Sequence, residues 1–422
     1  STLLLPTTIT STTEVKTNKI SPATGVAFAL GDSGDTFTVP SGATITNSGT
    51  ATGFGITSSS FLPTANPVLI NGNMAIAQRS TSETGITTSG YRTCDRFEMR
   101  MSNFGTWTIT QEALSADEAF EDGFSTAFKL DNTTADASLG ASDYGRIHYA
   151  VEAQDCQLFK LGNAGSDTLT LAFWVKATKT GTNVATMIQT DPDRMCCQAY
   201  TVDATDTWEF KVLNFPADTA GAGINNDTGE GLEIDFWMGA GTDFTSGTLQ
   251  TTWASRVNTT RAVGQVNHAD STSNNFHITG IQLEAGTYTS ADLPPFRHES
   301  YGDNLFRCER YYYSVANGSR HAFEPIGIGY CPNANAAYGV IIMRPEMRTA
   351  PTLEKTVGTD YMYLLRDGGE DYNDNIELYS DVKTSRTYSY KLDDNVSGCA
   401  AGQAVVVKIG NAATRVALSA EL

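Results

Sequence analysis

Hydrophobic side chains recur in this chain at every second residue, and almost nowhere at the three-to-four spacing of a helix. In Leu232-Glu233-Ile234-Asp235-Phe236-Trp237-Met238, the Leu, Ile, Phe and Met face one way while Glu233 and Asp235 face the other. Successive side chains of an extended backbone point to opposite faces, so the pattern specifies strands with one apolar side. Residues 168–176 read the same way, as do segments around 326–330, 338–343, 375–379, 387–392, 404–408 and 415–418. Polar, glycine-bearing turns separate them, among them Asn225–Gly231, Asp367-Gly368-Gly369 and Ser397-Gly398. Strands joined by turns rather than helices predict an all-β, antiparallel molecule and exclude a βαβ fold.

Three regions follow from where the pattern changes. Residues 1–65 are dominated by Thr, Ser, Gly and Ala and contain no Trp, Tyr or Cys. Phe37 and Val39, then Ala43 and Ile45, alternate on narrow apolar faces that one chain can scarcely close by itself. The segment therefore reads as a short β-rich N-terminal stem or attachment segment, completed by sharing those faces among several copies. Residues 66–300 read as a central antiparallel jelly-roll β-sandwich. Val68-Leu69-Ile70 is expected as its buried first strand, Asn71-Gly72 as a hairpin turn, and Met74, Ile76 and Gln78 as one face of the next segment. Tyr91 to Met99 alternates again, and Phe276, Ile278 and Ile281 lead into a closing strand expected to meet the opening one. Asp303 is placed to cap a short helical turn presenting Leu305 and Phe306. A smaller C-terminal β-sandwich, residues 301–422, begins with Tyr311-Tyr312-Tyr313, of which alternation turns at least one toward a neighbour or solvent.

Composition excludes some functions. A net charge of −19 with no basic run argues against binding nucleic-acid phosphates, and the acidity reads as solubility. No apolar run approaches the roughly 20 residues of a membrane helix, and Leu3-Leu4-Leu5 stops at Pro6. Neither membrane insertion nor a signal peptide is expected. The seven cysteines have no metal-ligand spacing and read as buried small apolar residues of a protein made in a reducing cytoplasm. Cys196 and Cys197, adjacent in a strand, are expected on opposite faces.

Asn66-Pro67-Val68-Leu69-Ile70-Asn71-Gly72-Asn73-Met74-Ala75-Ile76-Ala77-Gln78-Arg79 opens the central region. Ile278-Thr279-Gly280-Ile281-Gln282-Leu283-Glu284-Ala285-Gly286 and Pro295-Phe296-Arg297-His298-Glu299-Ser300-Tyr301-Gly302 close it. Together they resemble the boundary motifs of carbohydrate-binding-type jelly rolls in tail fibres and related receptor-binding proteins of tailed bacteriophages. Tyr91, Asp95, Arg96 and Phe97 resemble that family's Tyr…Asp-Arg-aromatic motif, with one extra residue in the spacing and Phe where Trp is usual. Glu309-Arg310-Tyr311-Tyr312-Tyr313 resembles the join that follows the jelly roll. Residues 16–25 and 30–45 resemble fibre segments recurring in phages of marine bacteria. The resemblance implies a virion structural protein, a homotrimeric tail fibre of the tail appendage that is assembled in the host cytoplasm. The implied partners are further copies of itself, other phage tail proteins, and host surface polysaccharide or lipopolysaccharide. Two rivals stay open, a polysaccharide depolymerase and a purely structural head or tail fibre without a receptor role.

No catalytic motif supports an enzyme. There is no G-x-S-x-G elbow, no phosphate-binding loop, and no H-E-x-x-H, since Gly302 stands where His298-Glu299 would need its second histidine. Asp95 and Glu98 beside Arg96 read as an ion pair locking a strand end. No cofactor is expected. The resemblance brings a structural calcium into question, for which Glu370, Asp371, Asn373 and Asp374 are the densest oxygen ligands, but a solvated hairpin loop is the preferred reading. Glycan binding uses aromatic faces against sugar rings, and Trp107, Tyr144, Trp208 and Trp253 are the candidates taken forward. Tyr149, Trp174 and Trp237 are further aromatics, and alternation sets both Trp174 and Trp237 opposite the aliphatic faces of their strands. Most of these rings are expected in the core.

Overall fold

The computed structural model describes residues 67–422 apart from 319–322 and 357. The expected N-terminal stem, residues 1–65, lies outside the described residues. Contacts gather residues 63–422 into one compact unit, and it holds two large hydrophobic cores.

The first core belongs to thirteen strands: β1 (Ser82–Ile86), β2 (Gly90–Tyr91), β3 (Glu98–Ser102), β4 (Thr106–Ala113), β5 (Thr126–Thr134), β6 (Tyr144–Glu152), β7 (Leu169–Ala177), β8 (Gly181–Gln189), β9 (Arg194–Val202), β10 (Glu209–Phe215), β11 (Glu230–Ala240), β12 (Ala254–Ser255) and β13 (Asn275–Ala285). They form a six-stranded sheet, β1-β4-β5-β13-β7-β10, facing a seven-stranded sheet, β12-β9-β8-β11-β6-β3-β2. The chain crosses repeatedly between the sheets, as in a jelly roll, and the all-β antiparallel architecture expected from the alternation is present. Phe128, Leu130, Phe173, Val175 and Phe276 from the first sheet meet Met99, Ile147, Met187, Ile234 and Phe236 from the second. The outer face of the seven-stranded sheet is covered too. Phe244, Leu249 and Ala262 pack over Trp237, Val184, Ile188 and Cys197. Cys196 points into the inner core and Cys197 into this outer cluster, so both are buried although they face opposite ways.

The second core lies between a three-stranded and a seven-stranded sheet. Its strands are β14 (Tyr312–Asn317), β15 (Pro325–Asn333), β16 (Ala336–Ile342), β17 (Thr352–Thr356), β18 (Met362–Arg366), β19 (Gly369–Asn373), β20 (Glu377–Lys383), β21 (Thr387–Leu392), β22 (Ala404–Ile409) and β23 (Arg415–Ser419). The orders are β14-β23-β17 and β19-β18-β22-β15-β16-β21-β20.

The opening motif differs from expectation. Residues 68–79 are bends, turns and irregular backbone rather than a strand pair, although Leu69, Ile70, Met74 and Ile76 are buried. The cause is local. Asn71 and Met74 adopt left-handed φ of 61° and 57°, and the Asn71 amide holds the turn by bonding Ile76 N, Ile76 O and Asp95 O. The closing segment is a true strand, and it sits inside its sheet between β5 and β7. The two motifs do meet, because Ile281 N donates to Gly72 O at 2.9 Å. A Cβ at position 72 would collide with the Ile281 carbonyl oxygen, so glycine is required there.

The Asp95-Arg96 expectation is also corrected. Residues 92–97 form a turn in which Arg96 takes φ 74°. Asp95 accepts from Gln78 N (3.0 Å) and Gln78 Nε2 (2.6 Å). Arg96 pairs instead with Glu421 at the far end of the chain, donates to Ala150 O, and lies 3.5 Å over the Tyr311 ring. Glu98 pairs with Arg100. The helix Tyr301–Cys308 is capped by Ser300, whose hydroxyl accepts from Asp303 N, so Asp303 is a first-turn residue rather than the cap. Tyr311 and Tyr312 are buried under Arg96 and Arg79 respectively. The motif residues thus build a junction between the two sandwiches.

Candidate functional site

The outer face of the six-stranded sheet carries an aromatic groove of about 380 Å³. Its centre is Trp174 on β7, which alternation turns away from the core between the inward-facing Phe173 and Val175. Antiparallel register sets Phe210 of β10 directly beside it, ring centroids 5.3 Å apart, and Thr279 of β13 on its other side. Both Trp174 and Phe210 are partly exposed. A second aromatic group completes the lining. Phe124 packs edge-on to Phe296 at 4.9 Å, and the exposed His298 contacts both rings at 5.1 and 4.8 Å. Desolvation lowers the His298 pKa below its ordinary 6.5, which favours the neutral ring.

The closing motif shapes this groove. The pairing of β13 with β7 is irregular between Thr279 and Gln282, and Gly280 there has φ 62°. A Cβ on Gly280 would lie 2.7 Å from the Phe124 ring. The glycine therefore serves both the irregular backbone and the close approach of the ring. Gln282, Asp122 and Ser290 also line the groove, and Gln282 Nε2 donates to Pro294 O, tying the covering segment down. Aromatic faces set among amide, carboxylate and hydroxyl groups match the two surfaces of a sugar, its apolar C–H face and its hydroxyl rim.

The aromatics chosen from sequence fall elsewhere. Trp107 is fully buried and donates from Nε1 to Phe104 O. Trp208, 4% exposed, donates to Asp117, and Trp253, 8% exposed, donates to Pro216 O. None of the three offers a ring face to a ligand, because each indole completes a core with its N–H already satisfied. Tyr144 is partly exposed on the other sheet, packed edge-on to Trp237 and Phe244. Tyr149 and Trp237 are core residues. Trp174 alone of the tryptophans lines the groove. Phe210, Phe296, Phe124 and His298 were missed, although Phe296 and His298 stand within the closing motif.

Two other places hold clustered chemistry. On the seven-stranded sheet, His148, Glu233 and Asp235 are buried together, with one ligand-type atom of each lying within 4.8 Å of the others. Asp235 is already engaged, by His148 Nδ1 at 2.9 Å, Arg261 at 2.9 Å and Arg146 at 3.2 Å. Those guanidiniums hold its carboxyl well below the usual range, while burial raises Glu233 and Glu230 and lowers His148. Two arginines among the acids make this an ion-pair network rather than a cation cage. The acidic stretch read as a solvated hairpin loop in preference to a calcium site is the β18–β19 hairpin and the turn after it. Asp371 accepts from Ser397 N, and Asp374 accepts from Asp360 N and Asn395 Nδ2. A larger cleft, about 510 Å³, opens at the junction, but its Arg307 and Arg310 are spent on Glu299 and Glu152.

No protein-family model matches the chain, and no curated protein matches it. Several solved structures do. A tailspike domain of bacteriophage CBA120, described as its enzymatically active domain, is 12% identical with a TM-score of 0.25. That match covers 52% of this chain and only 21% of that domain's length. The carbohydrate-binding module TmCBM61, solved with β-1,4-galactotriose, is 9% identical with a TM-score of 0.24, over 52% of this chain and 99% of that one. A tandem CBM22 domain of Paenibacillus barcinonensis Xyn10C is 8% identical with a TM-score of 0.22, over 81% and 97%.

Proposed function

We propose that this protein is a glycan-binding fibre of a tailed phage, one that adsorbs to the host surface polysaccharide and leaves it intact. The observation that carries this is the groove: two partly exposed aromatic rings, Trp174 and Phe210, held side by side on a rigid sheet and bordered by hydrogen-bonding side chains. The phage assignment rests on the motif resemblance at residues 66–79, 278–302 and 309–313. In this reading the fibre is a homotrimer of the virion's tail, and weak single sites multiply when several engage one surface.

Titration of the full chain with surface polysaccharide from susceptible hosts tests the binding. Saturable binding that Trp174→Ala reduces at least tenfold is expected. Binding unchanged by that substitution would move the site elsewhere, and none at all would favour the purely structural fibre. New reducing ends in the incubated polysaccharide would favour a depolymerase instead.

A further inference from the structure

The connection from β21 to β22, residues 393–403, is built of bends and turns. It reaches the β18–β19 hairpin and the turn after it through polar bonds at the surface: Ser397 N donates to Asp371, Arg366 Nη2 to Ser397 O, and Asn395 Nδ2 to Asp374. Bonds exposed to water hold such a segment only modestly. Two cysteines lie where the connection meets β15. Cys331 N donates to Gln403 O and Gly402 N donates to Cys331 O, both at 2.8 Å, so the connection is tied to both sides of the Cys331 backbone. Cys399 N donates to Ala334 O at 3.3 Å, which fixes Cys399 against the turn leaving β15. Both side chains enter the second core, Cys331 fully buried and Cys399 7% exposed. Their thiols lie in hydrogen-bond contact with each other. Other thiols meet oxygen instead, Cys94 at Met74 O, Cys308 at Asn304 and Cys197 at Thr260 O.

We propose that Cys331 and Cys399 are a redox-active pair that closes to a disulfide when the protein meets a disulfide oxidant such as oxidised glutathione. Backbone bonds already hold both residues in place, so closure asks for rotation of two side chains rather than movement of the chain. Cys399, the thiol nearer the surface, gives up its proton and attacks one sulfur of the oxidant. One glutathione leaves, and a mixed disulfide remains on Cys399. The deprotonated Cys331 sulfur then attacks the Cys399 sulfur and expels the second glutathione. The protein loses two electrons and two protons, and the oxidant is reduced to two glutathione thiols. The new bond pins the 393–403 connection to β15 and closes a long loop, which removes conformations from the unfolded chain. The inference goes beyond glycan binding and does not depend on it. In the fibre reading above, the pair stays reduced in the host cytoplasm and closes after release.

Full-length protein purified under dithiothreitol is transferred to oxidised glutathione while folded, then unfolded so that every remaining thiol can be alkylated and counted by mass spectrometry. The starting protein should show all seven thiols. The oxidised protein should show two fewer, with one cross-linked peptide joining Cys331 to Cys399. Its thermal midpoint should rise by about 5 °C, and dithiothreitol should reverse the rise. Cys399→Ala, confirmed folded by circular dichroism, should show no rise under the same oxidant. A thiol count unchanged by the oxidant would overturn the proposal. So would a bond through another pair, or glutathione retained on Cys399 with no cross-link. A Cys331–Cys399 bond that leaves the midpoint where it was would overturn the pinning of the connection.

Discussion

Asp95 shows how one buried group ties a motif to the stability of the whole. Its carboxylate is enclosed, and desolvation pushes its pKa up to about 6 from an ordinary 3.8, despite the donors of Gln78 and the charge of Arg79. The folded protein therefore holds this proton more tightly than the unfolded chain does. The resulting stabilisation is complete below pH 4 and disappears as pH rises through 6, in total about 3 kcal/mol. Urea midpoints of the wild type and Asp95→Asn, compared between pH 4 and 7, should show the wild type losing stability relative to the variant by an amount of that order. Parallel curves would mean that Asp95 is ionised throughout. Trp174 makes the opposite kind of prediction. It is partly exposed, so Trp174→Ala should cost less than about 2 kcal/mol of stability, whereas Trp107→Ala, in the core, should cost roughly 3–5 kcal/mol. Equal costs in thermal denaturation would place both rings in the same environment.

At the scale of the element, the motifs act through backbone geometry more than through side-chain chemistry. Gly72 receives the Ile281 amide so closely that Gly72→Ala must shift one of the two segments. A loss of roughly 1–3 kcal/mol is expected, with increased amide exchange at Ile281. Unchanged exchange there would show that the contact is not maintained in solution. Period-two alternation made β7, β11 and β13 of the first sandwich and most strands of the second legible, because an inward and outward assignment needs only the neighbours along the chain. The same reasoning failed at 68–79 and 92–97. Apolar residues in those segments are buried, but left-handed residues and side-chain bonds to backbone, centred on Asn71, turn the chain into loops. Burial was readable there and backbone direction was not.

At the scale of the molecule, the junction couples two sandwiches that could otherwise unfold separately. Glu152, fully buried at the end of β6, accepts from Arg310 Nε, Arg310 Nη2 and the Tyr311 hydroxyl at 2.9, 2.6 and 2.9 Å. Arg348 reaches from the second sandwich to Thr228 O while also holding Ala420 O and Glu421 O. Ile70, Ile76, Cys308 and Tyr311 form a small core between them. Calorimetry should therefore show one transition for the two sandwiches. Glu152→Ala, which strands Arg310 and the Tyr311 hydroxyl, should cost about 3–5 kcal/mol and split that transition in two. A single transition preserved in the variant would place the coupling elsewhere in the junction.

The sequence by itself determined that the chain folds as antiparallel β-sheet, where its most regularly alternating strands lie, and that two strand-rich regions meet near residue 300. These are local properties, written in the alternation of side chains and the turns between them. Tertiary structure alone decided which aromatic rings are available to a ligand. Trp107 and Trp253 pack into the core between the sheets and Trp208 into a cluster on the outer face, while Trp174 beside that cluster stays partly exposed, and no pattern of neighbouring residues separates them. It also decided what the boundary motifs do. Arg96 finds Glu421 across 325 positions of sequence, and Gly72 finds Ile281 across the sandwich. Such partners are fixed by packing, and no pattern of neighbouring residues encodes them.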